Sequence, residues 1–214
     1  MSGGAGGDGP AWTPPSSPRT PDEDALRQRV KHELRRRMKA VRGALPAAAR
    51  KERSAKLAER LLALPELSGG PLVAAFVPIR GEVDLAPFLE GHRARGGTVA
   101  LPRVDLEAQE VVLHLHEAGA ELAQGAFGIP EPSPAAPRVP RPDVVLVPGL
   151  AIDPRGHRVG YGKGFYDRLL PELEGALRVA VAFDFQLVAE VPAASFDEPV
   201  DLVVTDARVL RVER

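Results

Sequence analysis

Apolar residues recur along this chain at two different periods, and the change of period divides it. Leu26, Val30, Leu34, Met38 and Val41 follow one another at intervals of four and three, which predicts a helix carrying one apolar stripe. Ahead of them stands Thr20-Pro21-Asp22-Glu23, the order of a helix start: a capping hydroxyl, proline at the first helical position, and a carboxylate three residues after the cap. A second helix is expected over 47–64, with Leu57, Leu61, Leu62 and Leu64 on its apolar side. Past Gly69-Gly70 the pattern changes. The run at 72–79 is almost unbroken in apolar residues, as in a strand covered on both faces. The spacing then predicts a helix at 85–95, a strand at 98–101 and a half-exposed strand at 110–116. A proline-rich connector follows at 127–142, then a buried strand at 143–148, a glycine-rich loop and a helix near 164–173. Strands at 177–183, 202–205 and 209–212 complete the chain. Strands alternating with helices predict a three-layer α/β/α fold, a largely parallel, Rossmann-like sheet with helices on both faces. In such a sheet the ligand lies at the carboxyl ends of the strands.

Composition adds boundaries to this picture. Residues 1–19 are dominated by Gly, Pro and Ser around a lone Trp12, and are expected to be a disordered leader with no role for that tryptophan beyond linker. They lack the basic start and apolar run of a secretory signal. Residues 20–214 are expected to form a single domain. With 44% hydrophobic and 27% charged residues, the chain is not disordered throughout. Its longest apolar stretch, 144–152, is interrupted by Pro148 and Gly149 and is too short to cross a bilayer. The absence of cysteine excludes disulfides and thiolate metal sites and points to the cytoplasm. Charge is unevenly spread: between residues 27 and 60 thirteen Lys and Arg face three Glu, a local net of +10 in a chain whose overall charge is −1. That segment calls for an anionic partner, and by itself leaves nucleic acid, a membrane surface and nucleotide phosphates open.

The densest chemistry follows the strand at 143–148. Gly160, Gly162 and Gly164 alternate just before a helix, where glycine lets successive N–H groups point at one anion and the helix N-terminus adds partial positive charge. Arg158 and Lys163 supply full charges of the kind phosphate binding uses, and Asp167, in the helix's first turn, is placed to hold a Mg²⁺ brought in by that phosphate. The spacing is neither that of a Walker A loop nor that of the dinucleotide GxGxxG. Taken alone, the loop is equally a flexible turn capping a helix.

The segment DVVLVPGLAIDPRGHRVGYGKGFYD, residues 143–167, resembles the signature of the 5-formyltetrahydrofolate cyclo-ligase (5,10-methenyltetrahydrofolate synthetase) family. Further motifs stand in that family's order: Lys31-x-x-x-Arg35, Gly81-Glu82-Val83, Leu101-Pro102-Arg103, Gly128-Ile129-Pro130-Glu131-Pro132, Ala182-Phe183-Asp184, Gln186, Pro192 and Asp197-Glu198-Pro199-Val200-Asp201…Thr205. The resemblance spans about residues 25–210. It implies conversion of 5-formyltetrahydrofolate and MgATP to 5,10-methenyltetrahydrofolate, ADP and phosphate. By the same resemblance ATP is held by Lys31, Arg35, Arg158, Val159, Gly160, Tyr161, Gly162, Lys163, Gly164, Phe165 and Tyr166, with Arg158 and Lys163 as catalytic charges. The folate is held by Val77, Glu82, Tyr161, Gly162, Lys163, Gly164 and Phe165, and Mg²⁺ by Asp167 and Asp201. The expected partners are a reduced folate and ATP, with no nucleic acid or membrane, and the expected state is a monomer. Position 161 varies in that family, and Phe165 stands where tyrosine is common, which leaves 165 without a hydrogen-bonding hydroxyl.

Each residue also has a plainer account. Lys31 and Arg35 suit a solvated helix face, Glu82 an ordinary loop carboxylate, and Asp201 a residue at the entry of a strand. His114 and His116 share one face of a strand but have no third ligand in sight, so an exposed strand face is expected rather than a metal site. His157 reads as a solvent-facing turn residue, and the connector at 127–142 as a rigid crossover. Other functions open to such a chain are a sugar-phosphate isomerase or CoA-transferase, a reduced-folate or nucleotide binding protein without turnover, and a nucleic-acid binder using the +10 segment. The lack of interleaved aromatics between residues 27 and 60 counts against single-strand binding.

Overall fold

The apolar run at 144–148 becomes the middle of a seven-stranded sheet, because only a position covered on both faces can bury four consecutive apolar side chains. The computed structural model describes residues 21–108, 110–194 and 197–213. The leader, its Trp12 and the expected Thr20 cap lie outside the described residues. In chain order the elements are α1 (Pro21–Gly43), α2 (Ala47–Leu62), β1 (Leu72–Ala74), α3 (Ala86–Ala94), β2 (Thr98–Asp105), β3 (Glu110–Leu115), β4 (Ala123–Gln124) and β5 (Pro130–Glu131). They continue with β6 (Val144–Pro148), β7 (Ala151–Ile152), β8 (Arg158–Val159), α4 (Phe165–Glu172), β9 (Leu177–Val181), β10 (Leu202–Val204) and β11 (Val209–Arg211).

The large sheet runs β11-β10-β9-β6-β1-β2-β3. Strands β2, β1, β6, β9 and β10 pair in parallel, and β3 and β11 close the two edges antiparallel. Side chains alternate between faces, so Val144 and Leu146 join Leu57, Leu61 and Phe88 of α2 and α3, while Val145 and Val147 join Leu169, Leu170 and Leu173 around α4. The three-layer α/β/α expectation holds. From β1 the chain steps outward to β2 and β3, then returns to the other side of β1 as β6. The strand order therefore reverses between β1 and β6, and a crevice opens at their carboxyl ends.

Three local expectations change. The run at 72–79 is strand only through Ala74; after the Ala75 N–H reaches the Ala100 carbonyl at 2.9 Å, the chain leaves the sheet as it enters the crevice. Strand β2 runs on to Asp105, beyond the expected 101, because β3 pairs with it as far as Asp105 opposite Glu110. His114 is not on an exposed face. It is 2% exposed, because the proline-rich connector runs along the free edge of β3 and its Ala136 carbonyl lies 2.7 Å from the His114 Nδ1.

The first helix departs furthest from its pattern. Of its apolar stripe only Met38 and, in part, Leu34 are covered, packing on Leu150, Ala151, Val159 and Val191 around the β7–β8 hairpin. Leu26, Val30 and Val41 are exposed. The covered face instead carries Lys31, Arg35, Met38 and Arg42, spaced four, three and four, and α1 lies over the hairpin at the end of the sheet. Met38→Ala is expected to cost about 2–5 kcal/mol in urea denaturation, whereas Leu26→Ala and Val30→Ala stay within roughly 0.5 kcal/mol of the parent protein. Equal losses at all three positions would return the burial to the apolar stripe.

Candidate functional site

A cavity of about 490 Å³ occupies the crevice at the carboxyl ends of β1 and β6. Its floor comes from chain leaving the sheet: Phe76, Val77 and Ile79 after β1, and Pro148 and Gly149 at the end of β6. One wall is the glycine loop. The β7–β8 hairpin, anchored by the Leu150 N–H donating to the Val159 carbonyl at 2.7 Å, delivers Arg158 and Val159 to the rim, and residues 160–164 continue into α4. Gly162 and Gly164 adopt φ of +93° and +69°, a region L side chains rarely occupy, so this path requires glycine. Gly162 also leaves room for the Arg35 guanidinium, 3.6 Å from where a Cβ would stand.

Four cations converge on the loop. Lys31 Nζ donates to Asp197 Oδ2 at 2.5 Å, with both side chains about nine-tenths buried. Arg35 Nε donates to the Gly160 carbonyl at 2.9 Å. Arg158 donates from Nη2 to Asp167 Oδ1 at 2.7 Å and from Nη1 to the Glu198 carbonyl at 2.6 Å. Burial lowers the Arg158 pKa, and the Asp167 charge opposes that shift. Lys163 stays exposed, its Nζ 5.3 Å from the centre of the Phe127 ring. The first amides of α4 at Phe165, Tyr166 and Asp167 stand at the cavity without intrahelical acceptors. This end can bind a polyanion.

Elsewhere the lining includes Phe76, Val77, Ile79 and Val104 and the buried carboxylates of Glu82 and Glu131. Glu82 is 7% exposed, and its Oε2 accepts the Ile79 N–H at 3.0 Å. Desolvation pushes its pKa up to about 6, against the opposing Ile79 hydrogen bond and the charges of Arg42 and Arg80. Desolvation likewise raises the phenols of Tyr161 and Tyr166. A buried carboxylate at the wall of a cavity can accept hydrogen bonds from N–H donors of a ligand.

Most of the expected residues meet here: Lys31, Arg35, Val77, Glu82, Arg158 to Tyr166 and Asp167 all line the cavity. The solvated-face account of Lys31 and Arg35 fails, since both are turned inward and bonded. Asp201 is the exception. It is not among the lining residues, and its Oδ2 accepts the Arg178 N–H at 2.8 Å where β9 and β10 begin, which is the strand-entry role. Asp197, four residues earlier in the same motif, is the carboxylate that reaches the cavity. Among the described residues no three His, Asp or Glu assemble as a metal cage. Asp167, about a third exposed and bridged through one oxygen to Arg158, suits a Mg²⁺ whose other ligands are phosphate oxygens and water.

Sequence reasoning missed Arg42, Arg80 and Lys39. Arg42 is 1% exposed, so it is not part of a solvated basic surface. Its spacing from Lys31 and Arg35 was the available signal, because residues eleven and seven apart share a helix face. No pattern marked Arg80, whose place depends on a turn with φ of +49° at that residue.

The sequence profile of the 5-formyltetrahydrofolate cyclo-ligase family matches residues 27–206. A 5-formyltetrahydrofolate cyclo-ligase of Mycolicibacterium smegmatis is 34% identical over 188 residues, covering 84% of this chain and 95% of its own length. The enzyme of the same name from Escherichia coli K12 is 32% identical over 174 residues, 78% of this chain and 96% of its own. An NMR structure of Aquifex aeolicus 5,10-methenyltetrahydrofolate synthetase superposes with a TM-score of 0.77 at 38% identity, covering 86% of this chain and 94% of that one. No helix among the described residues is long and apolar enough to cross a membrane.

The raised pKa of Glu82 has a thermodynamic signature. Between the unfolded value of 4.5 and about 6, the folded protein holds a proton that the unfolded chain releases. That contribution to stability is complete below 4.5 and is lost as pH rises through 6, on the order of 2 kcal/mol. Urea denaturation should therefore show Glu82→Gln gaining on the parent protein by about that amount between pH 4.5 and 7.5. A stability difference independent of pH would contradict the buried, desolvated carboxylate.

Proposed function

The chain belongs to the 5-formyltetrahydrofolate cyclo-ligase family, and from that premise we propose that it converts 5-formyltetrahydrofolate and ATP, with Mg²⁺, to 5,10-methenyltetrahydrofolate, ADP and phosphate. The observation that carries this reading is that one cavity joins two chemically different linings: a cationic glycine loop, and a buried carboxylate, Glu82, beside the apolar Val77 and Ile79. Such a division suits a triphosphate and a pterin held side by side.

The chemistry needs little from the protein besides position and charge. A formyl oxygen on nitrogen is a poor leaving group. Attack of that oxygen on the γ-phosphorus breaks the bond to ADP and makes an iminium phosphate; N10 of the same substrate then adds to the formyl carbon, and loss of phosphate with the N10 proton leaves the methenyl bridge. Arg158 and Lys163 take the roles of stabilising charge on the transferred phosphoryl group, and Lys31 and Arg35 fix the loop and the nucleotide phosphates. Glu82 receives the N–H donors of the pterin against Val77, with Tyr161 and Phe165 covering it. When bound, Mg²⁺ neutralises phosphate charge, and Asp167 is the carboxylate that holds it. The cation-bound loop carbonyls and carboxylates seen here are the interactions that the phosphates replace or share.

Mixing the purified protein with 5-formyltetrahydrofolate and MgATP should produce the near-ultraviolet band of methenyltetrahydrofolate together with equimolar ADP. Absence of both would overturn the reading. Lys163→Ala should lower kcat by about 10²–10³-fold, the cost of one lost donor to developing charge, with the urea midpoint unchanged. Undiminished turnover would remove Lys163 from the phosphoryl-transfer step.

A further inference from the structure

We propose that Arg42 is the positioning residue of the pterin end of the cavity: its single guanidinium fixes Glu82, Tyr161 and the turn at Arg80 to α1 and to one another. This rests on the cyclo-ligase reading for what that end binds, though not for the arrangement itself. Arg42 does not line the cavity; it stands directly behind groups that do. Its Nε donates to the Arg80 carbonyl at 3.2 Å, its Nη2 donates to the Tyr161 hydroxyl, and its Nη1 lies 3.7 Å from Glu82 Oε1. The three recipients come from two separate stretches of chain, the turn after β1 and the glycine loop, and α1 supplies the guanidinium.

Two features show that this guanidinium does more than fill space. Among the described residues its Nη1 is buried without a hydrogen-bond partner, an expensive state for a charged donor that is nine-tenths or more enclosed. The carboxylate it faces is equally enclosed, so a small approach by Glu82 satisfies both groups at once. Second, the turn that presents Glu82 is strained. Arg80 and Gly81 both have positive φ, +49° and +78°, and the turn closes with the Glu82 N–H donating to the Ile79 carbonyl at 3.0 Å. Arg42 holds the carbonyl of the strained, non-glycine member. By donating to the Tyr161 oxygen it also leaves that hydroxyl's own proton free to point at a ligand.

The charged and titratable groups facing Glu82 are Arg42 from α1, Arg80 from its own turn, Tyr161 from the glycine loop and Tyr166 from α4. Lys39 stands across the Tyr161 ring, 5.3 Å from its centre. Of these Arg42 is the fully buried cation, so its charge is the least screened by solvent. Glu82 binds pterin N–H groups as an anion. Removing the Arg42 charge therefore raises the pH at which binding is lost.

The test compares Arg42→Met and Arg42→Lys with the parent protein. Arg42→Met should raise KM for 5-formyltetrahydrofolate about tenfold and leave KM for ATP within about twofold. It should also move the acid limb of kcat/KM for the folate upward by about one pH unit. Arg42→Lys, which keeps the charge but not the three-way fork, should return the acid limb while recovering KM only in part. A rise in both KM values together, or an acid limb that does not move in a folded variant, would reduce Arg42 to a packing residue and overturn the proposal. A second readout needs no activity. Urea denaturation of Arg42→Met should show stability falling further with pH between 5 and 7.5 than in the parent, and the excess should vanish when Glu82→Gln is added. If the parent protein lacks turnover while that excess is present, the cyclo-ligase reading fails and the Arg42–Glu82 coupling stands. If the excess is absent, the coupling itself is overturned.

Discussion

A buried cation must be paired, and the closing of this cavity depends on that requirement. Helix α1 turns its Lys31, Arg35 and Arg42 face, rather than most of its apolar stripe, toward the rest of the protein. Each of these side chains would cost several kcal/mol if desolvated alone. Each therefore meets a polar partner far along the chain: Lys31 meets Asp197, Arg35 the Gly160 carbonyl, and Arg42 Tyr161, beside Glu82 and the Arg80 carbonyl. These partners lie 166, 125 and 119 residues away in the chain, so the three pairings define where the first helix sits. Apolar contact contributes Met38 on the hairpin, but the direction in which the helix faces follows from charge.

The same constraint shapes the glycine loop. A loop of alternating glycines has many accessible conformations, and ordering it costs entropy that glycine makes larger than any other residue does. Arg35 on the Gly160 carbonyl and Arg158 between Asp167 and the Glu198 carbonyl reduce that freedom from either side. A loop already bent around cations offers its amides to an anion without first being ordered, which is how a site gains affinity by preorganisation. At the other end, desolvation of Glu82 makes the carboxylate costly to ionise and correspondingly sensitive to the cations behind it. One cavity thus holds two opposite electrostatic problems, each solved by side chains from α1.

The sheet was legible residue by residue where burial is symmetric. Val144 to Val147 is apolar on both faces, and such a run has no other stable place in a protein of this size. Boundaries were less legible at the crevice. Phe76, Val77 and Ile79 are as apolar as the strand before them, and their hydropathy cannot distinguish the sheet interior from a ligand pocket. The edges failed for a different reason: His114 looked exposed because the connector that covers β3 arrives from more than twenty residues downstream. Within the site, the motif order located the glycine loop and Glu82, while the last acidic motif held two aspartates at its ends. Local sequence offered no reason to choose Asp197 over Asp201, since only the path of the chain carries one to the cavity and leaves the other at the strand entry.

What the sequence determined by itself was the set of elements, the parallel sheet and the chemical character of the loop, because these depend on period, glycine placement and local charge. It also supplied, unread, the four-three-four spacing of Lys31, Arg35, Met38 and Arg42. What the tertiary structure decided was which side of α1 is inside. A helix presents its apolar stripe and its cationic stripe to a linear reading on equal terms, and hydropathy favours burying the first. Only the three-dimensional arrangement supplies Asp197, the Gly160 carbonyl, Tyr161 and Glu82 at one place, and with those partners present the cationic face is the one that can be buried.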